Sequence, residues 1–225
     1  MKALKIDFVS DVACPWCAVG LASLERALEK LDGEVSAELR FQPFELNPGM
    51  VAGGEDVTEY LTQKYGSTPQ QQQASRDAIR ARGAAVGFDF REEGRGRIYN
   101  TFNAHRLLHW AGLQDAVRQH ALKKALLKAY HGEGRSPDDV GVLVDAARQA
   151  GLDPARAQEI LEGDEYAREV RESEQRFQEL GIHAVPAVII NDRHLIQGGQ
   201  PPEMFEQALR QIAAAPPSDQ APAGR

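Results

Sequence analysis

The stretch Val12-Ala13-Cys14-Pro15-Trp16-Cys17-Ala18-Val19-Gly20 decides the fold, because an apolar run precedes it and a helical pattern follows it. It holds both cysteines of the chain. Pro15 suits the first turn of a helix, where a missing N–H costs nothing. Cys14 then lies at the helix N-terminus, where unpaired N–H groups and the helix dipole favour an anion, so we expect its pKa to lie below the usual value of about 8.5. Cys17, one turn along, can close a disulfide with Cys14, and the pair is therefore predicted to be redox-active.

Three other roles for this pair fit the sequence less well. A zinc site needs further ligands, but the chain has no second Cys-x-x-Cys and no histidine pair with finger-like spacing. Two inert buried thiols are disfavoured by the Pro-Trp pair between the cysteines and by the helix that starts beneath them. A structural disulfide would close so small a loop that it would remove little entropy from the unfolded chain. We therefore predict a catalytic thiol pair and no metal ligand.

The composition bounds the location and the partners of the protein. Its 225 residues are 42% hydrophobic and 26% charged, which is ordinary for a globular protein with a sizeable core. A net charge of −7 and a pI near 5.4 argue against a nucleic-acid partner. No apolar run approaches the length that spans a bilayer, and Met1–Asp7 is unlike a secretory signal. We expect a cytoplasmic protein with no membrane partner, where a lone cysteine pair is more often catalytic than structural.

Hydrophobic periodicity divides the chain into two predicted units. The predicted elements, in order, are a strand at Leu4–Val9, a helix from Pro15, a strand at Val35–Phe44, helices over about 57–180, strands at Ala187–Ile190 and Arg193–Gln197, and a helix to Ile212. The first three predict a right-handed parallel crossover, and the last two strands predict a hairpin. The predicted domains are residues 1–56 with 181–213, a helical insertion at 57–180 and a disordered tail at 214–225.

In this order the elements resemble an α/β thioredoxin-like fold that carries a large inserted all-helical domain. Four motifs, spread over nearly the whole chain, strengthen the likeness. They are Ser10-Asp11-Val12-Ala13-Cys14-Pro15-Trp16-Cys17, Pro43-Phe44-Glu45-Leu46-Asn47-Pro48, Asn100-Thr101-Phe102-Asn103-Ala104-His105-Arg106 and Gly181-Ile182-His183-Ala184-Val185-Pro186. With these motifs the chain resembles the DsbA-like branch of the thioredoxin superfamily and, within that branch, the FrnE-type subgroup of cytoplasmic oxidoreductases.

The resemblance implies a substrate-binding ledge opposite the cysteines. In the superfamily the proline before the third strand is cis and faces the disulfide, so we expect Pro186 to be cis. The backbone of Val185 is then available to pair with an extended substrate segment and to hold its sulfur near Cys14. Pro15 and Trp16 are expected to contact the substrate and to tune the redox balance.

The inserted helices are expected to supply further contacts. The family folds its insertion over the active-site groove, and Asn47, Asn103 and His105 lie in motifs that resemble those lining it. His105 and His109 stand four residues apart, but no third metal ligand is evident, and such a pair is more often surface or core. Asp11 is a candidate for relaying a proton to the second cysteine, although a turn carboxylate bonded to solvent or backbone fits equally well. The basic residues expected on the solvated face of one helix are Arg118, Lys123, Lys124 and Lys128.

These inferences predict a thiol–disulfide oxidoreductase or disulfide isomerase. The Cys14 thiolate attacks a substrate disulfide and Cys17 resolves the mixed disulfide. The substrate is a thiol or disulfide, either protein or small molecule. No bound cofactor is needed, since the cysteines carry the electrons; glutathione as a co-substrate and a homodimer are left open.

The resemblance also implies an alternative activity. Glutathione-dependent isomerases and transferases, similar to hydroxychromene-carboxylate isomerase and kappa transferases and linked to polyketide biosynthesis, share a thioredoxin-like fold with helical insertions. They typically have Ser at the position of Cys14 and activate a bound thiol instead of supplying one. Because this chain keeps both cysteines, redox chemistry is favoured.

Overall fold

A four-stranded mixed sheet lies at the centre of the computed structural model, which describes residues 1–215. The strands are β1 (Lys2–Ser10), β2 (Val35–Pro43), β3 (Glu55–Asp56), β4 (Arg97–Ile98), β5 (Ala187–Ile190) and β6 (His194–Gln197). The sheet order is β2-β1-β5-β6, while β3 and β4 form a separate antiparallel pair. Because β2 is parallel to β1, and β6 is antiparallel to β5, the parallel crossover and the hairpin are confirmed, while the right-handedness of the crossover stays a prediction.

Helices make up most of the remaining structure in residues 1–215. They are α1 (Pro15–Lys30), α2 (Val57–Tyr65), α3 (Pro69–Val86), α4 (Phe102–Gln114), α5 (Ala116–Leu127), a π-helical turn (Lys128–Gly132), α6 (Val140–Gln149), α7 (Pro154–Glu162), α8 (Ala167–Glu179) and α9 (Pro202–Ala214). α1 connects β1 to β2, and α2 to α8 lie between β2 and β5 in the chain. The boundaries of the two predicted domains stay a prediction. No helix in the described part of the chain is both long and apolar enough to cross a bilayer.

Two clusters of buried side chains meet at the turn between β1 and α1. One contains Phe8 of the central strand, Phe205 of α9 and both cysteines, so the sheet and two helices share it. The other joins α4 to α7 around Tyr130 and also takes in Val12 and Ala13 of the turn. Fully burying a large apolar side chain contributes about 1.5–3 kcal/mol. The redox turn is therefore fixed from both sides by the packing of distant segments.

A short antiparallel pair of strands adjoins the inserted helices near the start of α2. The strands β3 and β4 pair there, and Gly54 stands beside them with a positive φ of 67°. A Cβ at Gly54 would lie 2.1 Å from the carbonyl oxygen of Ile98, so only glycine allows the two backbones to come this close.

Asp115 separates α4 from α5, because its backbone is extended and its side chain accepts a hydrogen bond from the backbone N–H of Arg118 at the start of α5. The predicted tail starts too early, because Ala214 is still the last residue of α9. The rest of that predicted tail, from residue 216, lies outside the described residues.

Candidate active site

Cys14 is the N-cap residue of α1. Its backbone is extended (φ −89°, ψ 113°), Pro15 begins the helix, and no side chain caps the helix end. The backbone N–H of Cys17 donates to the carbonyl oxygen of Cys14 at 3.1 Å. Both cysteines are free thiols. Because no other side chain takes the unpaired N–H groups of the first turn, these groups remain available to a thiolate on Cys14.

The two thiols differ in acidity. The hydrogen bond that the Cys17 thiol donates to the Cys14 sulfur lowers the pKa of Cys14; the Cys17 backbone N–H and the Arg95 guanidinium act in the same direction, whereas burial and the Asp11 carboxylate oppose them. Burial raises the pKa of Cys17 well above its ordinary value, and its position beside Cys14 raises it further. The first thiol is thus prepared to ionise, while the second holds its proton.

The segment before β5 faces the thiols through a cis peptide bond between Val185 and Pro186, as expected for Pro186. The Cys14 thiol donates to the carbonyl oxygen of Val185 at 3.6 Å. The approach is close, since a Cβ built on Gly20 of α1 would lie 3.1 Å from Cγ of Pro186. Val185 is half-buried and Pro186 is buried, so the ledge lies directly against the redox helix.

A second segment packs against the redox turn, which we call the cover segment (residues 87–97). Its Phe88 and Phe90 pack against the buried cluster that contains both cysteines. Its Arg95 donates to the carbonyl oxygen of Ala13 at 2.5 Å. Only 4% of Cys14 is exposed and Cys17 is fully buried, so neither thiol is open to a substrate in this conformation.

The residues between the cysteines are more accessible. Trp16 is 36% exposed and Pro15 is half-buried. A Cβ at Gly199 would lie 3.0 Å from the carbonyl oxygen of Trp16, so the loop before α9 borders this part of the site. Substrate contacts by Pro15 and Trp16 stay a prediction.

Asp11 is fully buried directly before the cysteines. Its carboxylate accepts hydrogen bonds from the N–H of Ala13 (3.0 Å), the N–H of Leu46 (2.7 Å) and the hydroxyl of Thr101 (2.7 Å). Burial opposes its ionisation, but the nearby His105 and the two N–H donors outweigh that effect and lower its pKa. The sequence left open whether this carboxylate bonds to solvent or to the backbone. In the structure it is bonded to backbone N–H groups and to a side-chain hydroxyl, and it is buried from solvent. Its role in proton transfer stays a prediction.

The other candidate contacts, His105, Asn103 and Asn47, interact with other side chains of the protein. His105 is buried, with Nε2 3.5 Å from the Asp11 carboxylate. Asn103 accepts a hydrogen bond from Arg106 at 2.9 Å. Asn47 accepts from Tyr60 (2.6 Å) and Lys64 (2.8 Å) of α2. These three side chains are engaged within the protein, and their contact with substrate stays a prediction.

His109 does not join His105 at a metal site. Its ring stacks on Tyr166 with 5.3 Å between centroids. Within the described residues, no group of three or more His, Cys, Asp or Glu side chains is arranged to hold a metal ion.

Lys123 corrects the prediction of a solvated basic face on α5. Its side chain is 0% exposed, and the thiolate charge of Cys17 acts on it. Lys123 stands four residues before Leu127, which packs in the same cluster as the cysteines, and this spacing was the one sequence feature that indicated an inward position for Lys123. Two further residues near the site were not predicted. His131 donates from Nε2 to the carbonyl oxygen of Val12 at 2.8 Å, and Arg95 lies beside Cys14.

His131 is held in its neutral form. Burial lowers the pKa of His131 to about 3, and the positive charge of Arg95 acts in the same direction. Its ring therefore adds no charge to the site at neutral pH and acts as a fixed hydrogen-bond donor to the redox turn.

Comparison with known proteins identifies several solved structures of similar fold. A crystal structure of a probable DsbA oxidoreductase from Streptomyces coelicolor is 35% identical, with a TM-score of 0.86, and the match covers 98% of this chain and 94% of the other. The cytosolic disulfide reductase DsbM of Pseudomonas aeruginosa, solved with GSH, is 17% identical with a TM-score of 0.62 and coverage of 92% and 98%. A 2-hydroxychromene-2-carboxylate isomerase is 16% identical with a TM-score of 0.67 and coverage of 92% and 95%. For the reductase and the isomerase, the likeness shows only that their fold is the same as that of this chain.

The family assignment rests on a match that covers most of the chain. A family model described as a DSBA-like thioredoxin domain matches residues 5–210, which include the cysteine pair, all seven helices between β2 and β5, and the cis-proline segment. The chain belongs to the DSBA-like thioredoxin domain family.

Proposed function

We propose that this chain is a thiol–disulfide oxidoreductase in which Cys14 is the nucleophile and Cys17 the resolving thiol. The observation that carries the proposal is the inequality of the two thiols. The pKa of Cys14 is lowered by the hydrogen bond from Cys17, whereas burial raises that of Cys17. Because the thiolate is the attacking form, the more acidic thiol is expected to attack and the less acidic one to resolve the mixed disulfide.

The reaction follows from these roles. The Cys14 thiolate attacks one sulfur of a substrate disulfide, a Cys14–substrate disulfide forms, and the other substrate sulfur leaves as a thiolate. Cys17 then loses its proton and attacks the Cys14 sulfur, which forms the Cys14–Cys17 disulfide and releases the second substrate thiol. The enzyme dithiol is oxidised and the substrate disulfide is reduced to two thiols; the reverse sequence oxidises a dithiol.

Substrate binding is proposed at the ledge formed by Val185 and Pro186. An extended substrate segment would pair with the backbone of Val185 and displace the hydrogen bond between the Cys14 thiol and its carbonyl oxygen. With only 4% of Cys14 exposed, the cover segment must shift to admit the substrate sulfur. We propose a cytoplasmic, FrnE-type enzyme with thiol or disulfide substrates and with glutathione as a candidate reductant.

The test compares the parent chain with Cys14→Ser and Cys17→Ser, which are matched changes at the two ends of the motif. In an insulin-reduction assay the parent should catalyse reduction and Cys14→Ser should fall to the uncatalysed rate. Cys17→Ser should accumulate a mixed disulfide that a non-reducing gel resolves. The proposal is wrong if Cys14→Ser keeps the parent rate, or if alkylation of Cys14 follows the pH dependence of an ordinary thiol.

A second candidate is a glutathione-dependent isomerase, because the fold is shared with 2-hydroxychromene-2-carboxylate isomerase. Such an enzyme would activate a bound thiol and would not need its own cysteines. Glutathione-dependent isomerisation of 2-hydroxychromene-2-carboxylate by the double variant Cys14→Ser/Cys17→Ser would favour this activity. Turnover that requires Cys14 would favour the oxidoreductase.

A further inference from the structure

Lys123 is buried without a partner for its amino group. The residue is 0% exposed, and its Nζ is among the few buried polar atoms with no hydrogen-bond partner in residues 1–215. The next residue shows the ordinary alternative, since Lys124 is 57% exposed and its Nζ lies 2.9 Å from the Glu25 carboxylate. Burying an amine without a hydrogen bond is costly, and more so when it is charged. Packing alone therefore favours an apolar side chain at position 123.

The helix face that carries Lys123 is turned towards the redox pair. One turn earlier, Gln119 accepts from the N–H of Phe41 and donates to its carbonyl oxygen, both at 3.0 Å, which fixes α5 against β2. One turn later, Leu127 packs in the cluster that contains both cysteines. Lys123 lies between these two anchors and is therefore held over the buried side of the redox helix.

The groups that face Lys123 come from three different elements. The charges that act on it are those of Cys17 first, then Asp11 and Cys14, and its own charge acts on His131 of the π-helical turn. His131 is neutral, since burial lowers its pKa to about 3. Burial lowers the pKa of Lys123, although the thiolate of Cys17 opposes that shift. In its neutral form the Lys123 amine has a free lone pair and can accept a proton.

Asp11 is less suited to take the proton of Cys17. Its two oxygens already accept three hydrogen bonds, and its pKa is lowered, because the attraction of His105 and the N–H donors outweighs burial. A carboxylate stabilised in this way is a weak base. Of the charged groups that act on Cys17, Lys123 is the one whose buried polar atom has no hydrogen-bond partner in residues 1–215.

We propose that Lys123 is the proton acceptor of Cys17 when the mixed disulfide is resolved, a role that rests on the proposed oxidoreductase function. The Cys17 thiol transfers its proton to the Lys123 amine while its sulfur attacks the Cys14 sulfur. The bond between Cys14 and the substrate sulfur breaks, and the substrate leaves as a thiolate. The Lys123 ammonium then returns the proton to that thiolate through solvent, so that one disulfide is formed and one is reduced.

The experiment uses the full chain in its dithiol form with 5,5′-dithiobis(2-nitrobenzoate) as the substrate disulfide. One equivalent of coloured thiolate is released when Cys14 attacks, and a second when Cys17 resolves the mixed disulfide. In Lys123→Met we expect an unchanged first phase and a second phase slowed about 100-fold near neutral pH, at the lower end of the usual effect of a general base. The difference in second-phase rate between the parent and Lys123→Met should become smaller as the pH rises, because hydroxide then removes the Cys17 proton.

Matched variants separate this role from a structural one. Lys124→Met makes the same change at the exposed neighbour and should leave both phases as in the parent. Lys123→Met removes a buried unpaired amine, so its unfolding midpoint should not fall below that of the parent. A second phase that stays within twofold of the parent, or that only Asp11→Asn slows, overturns the assignment to Lys123. Absence of the first phase in the parent overturns the oxidoreductase function itself.

A measurement on the unaltered chain tests the same claim without a variant. The side-chain Cε resonance of Lys123 reports its protonation in a pH titration of the dithiol form. We expect the neutral amine to appear at a lower pH than in an exposed lysine, because burial lowers the pKa of Lys123. An ammonium group that persists through the whole range in which Cys17 resolves the mixed disulfide would overturn the proposal.

Discussion

Replacing Asp11 with asparagine is expected to destabilise the fold by about 3–5 kcal/mol at neutral pH. The buried carboxylate holds Ala13, Leu46 and Thr101 through hydrogen bonds of 3.0, 2.7 and 2.7 Å. Hydrogen bonds to a charged group contribute about 1.5–3 kcal/mol each, and neutral ones about 0.5–1.5 kcal/mol. The asparagine oxygen still accepts from Ala13 and Thr101, each about 1 kcal/mol more weakly, but its NH2 faces the Leu46 N–H, which loses its acceptor at about 1–3 kcal/mol.

The pH dependence of this loss follows from the lowered pKa of Asp11. Burial opposes ionisation, but His105 and the N–H donors outweigh it, so the carboxyl is more acidic in the folded chain than in the unfolded one. Such a group stabilises the fold fully above its unfolded pKa of about 3.9 and loses that contribution as the pH falls through its folded pKa. The difference between parent and variant should therefore be largest near pH 7 and shrink below about pH 4.

Urea unfolding of the reduced proteins, followed by far-ultraviolet circular dichroism, measures the free energy of unfolding. The matched control is Asp77→Asn, an exposed carboxylate on α3 whose recorded hydrogen bond is to Gln73, and its effect should stay within about 0.5 kcal/mol. A loss below about 1 kcal/mol in Asp11→Asn would refute the three-bond account. A loss that is as large at pH 3 as at pH 7 would show that the charge contributes nothing.

Three further predictions concern the surroundings of the thiols. Arg95→Met removes a positive charge beside Cys14 and should raise the pKa of that thiol, measured from the pH dependence of alkylation; an equal or lower pKa would contradict the role of the charge. Gly83→Ala places a Cβ 2.5 Å from the ring of Phe90, so it should displace the cover segment, destabilise the fold by about 1–2 kcal/mol and speed the alkylation of Cys14. An unchanged alkylation rate would show that the cover segment does not shield Cys14. Gln119→Leu removes the side chain that bonds a backbone N–H and two carbonyl oxygens, so it should lower the free energy of unfolding in urea by about 2–5 kcal/mol. A loss under about 1 kcal/mol would show that Gln119 does not fix α5 against β2.

The features that depend on neighbouring residues were predictable from the sequence. Pro15 and the apolar run before it place Cys14 at a helix N-terminus, and the structure confirms that position. The cis bond before Pro186 followed from the likeness of its motif to a known family, since an isolated Val-Pro pair is ordinarily trans. Local chemistry therefore accounts for the thiol pair and for the segment opposite it.

The features that depend on packing between distant segments were not predictable in this way. Lys123 lies among other basic residues, and a pattern of charge assigns it to solvent, whereas the fixation of α5 against β2 by Gln119 turns it inward. Arg95 lies between two glycines with φ of 74° and 68°, which aim its side chain at the redox turn. Neither placement can be inferred without knowing which elements are neighbours.

The hydrogen bonds that hold the redox turn also decide when, during synthesis of the chain, the turn can be completed. The carbonyl oxygen of Val12 is taken by His131, that of Ala13 by Arg95, and the thiol of Cys14 by Val185. The cysteines leave the ribosome long before any of these partners has been synthesised. The redox turn consequently acquires all three of its partners only after Val185 has been synthesised.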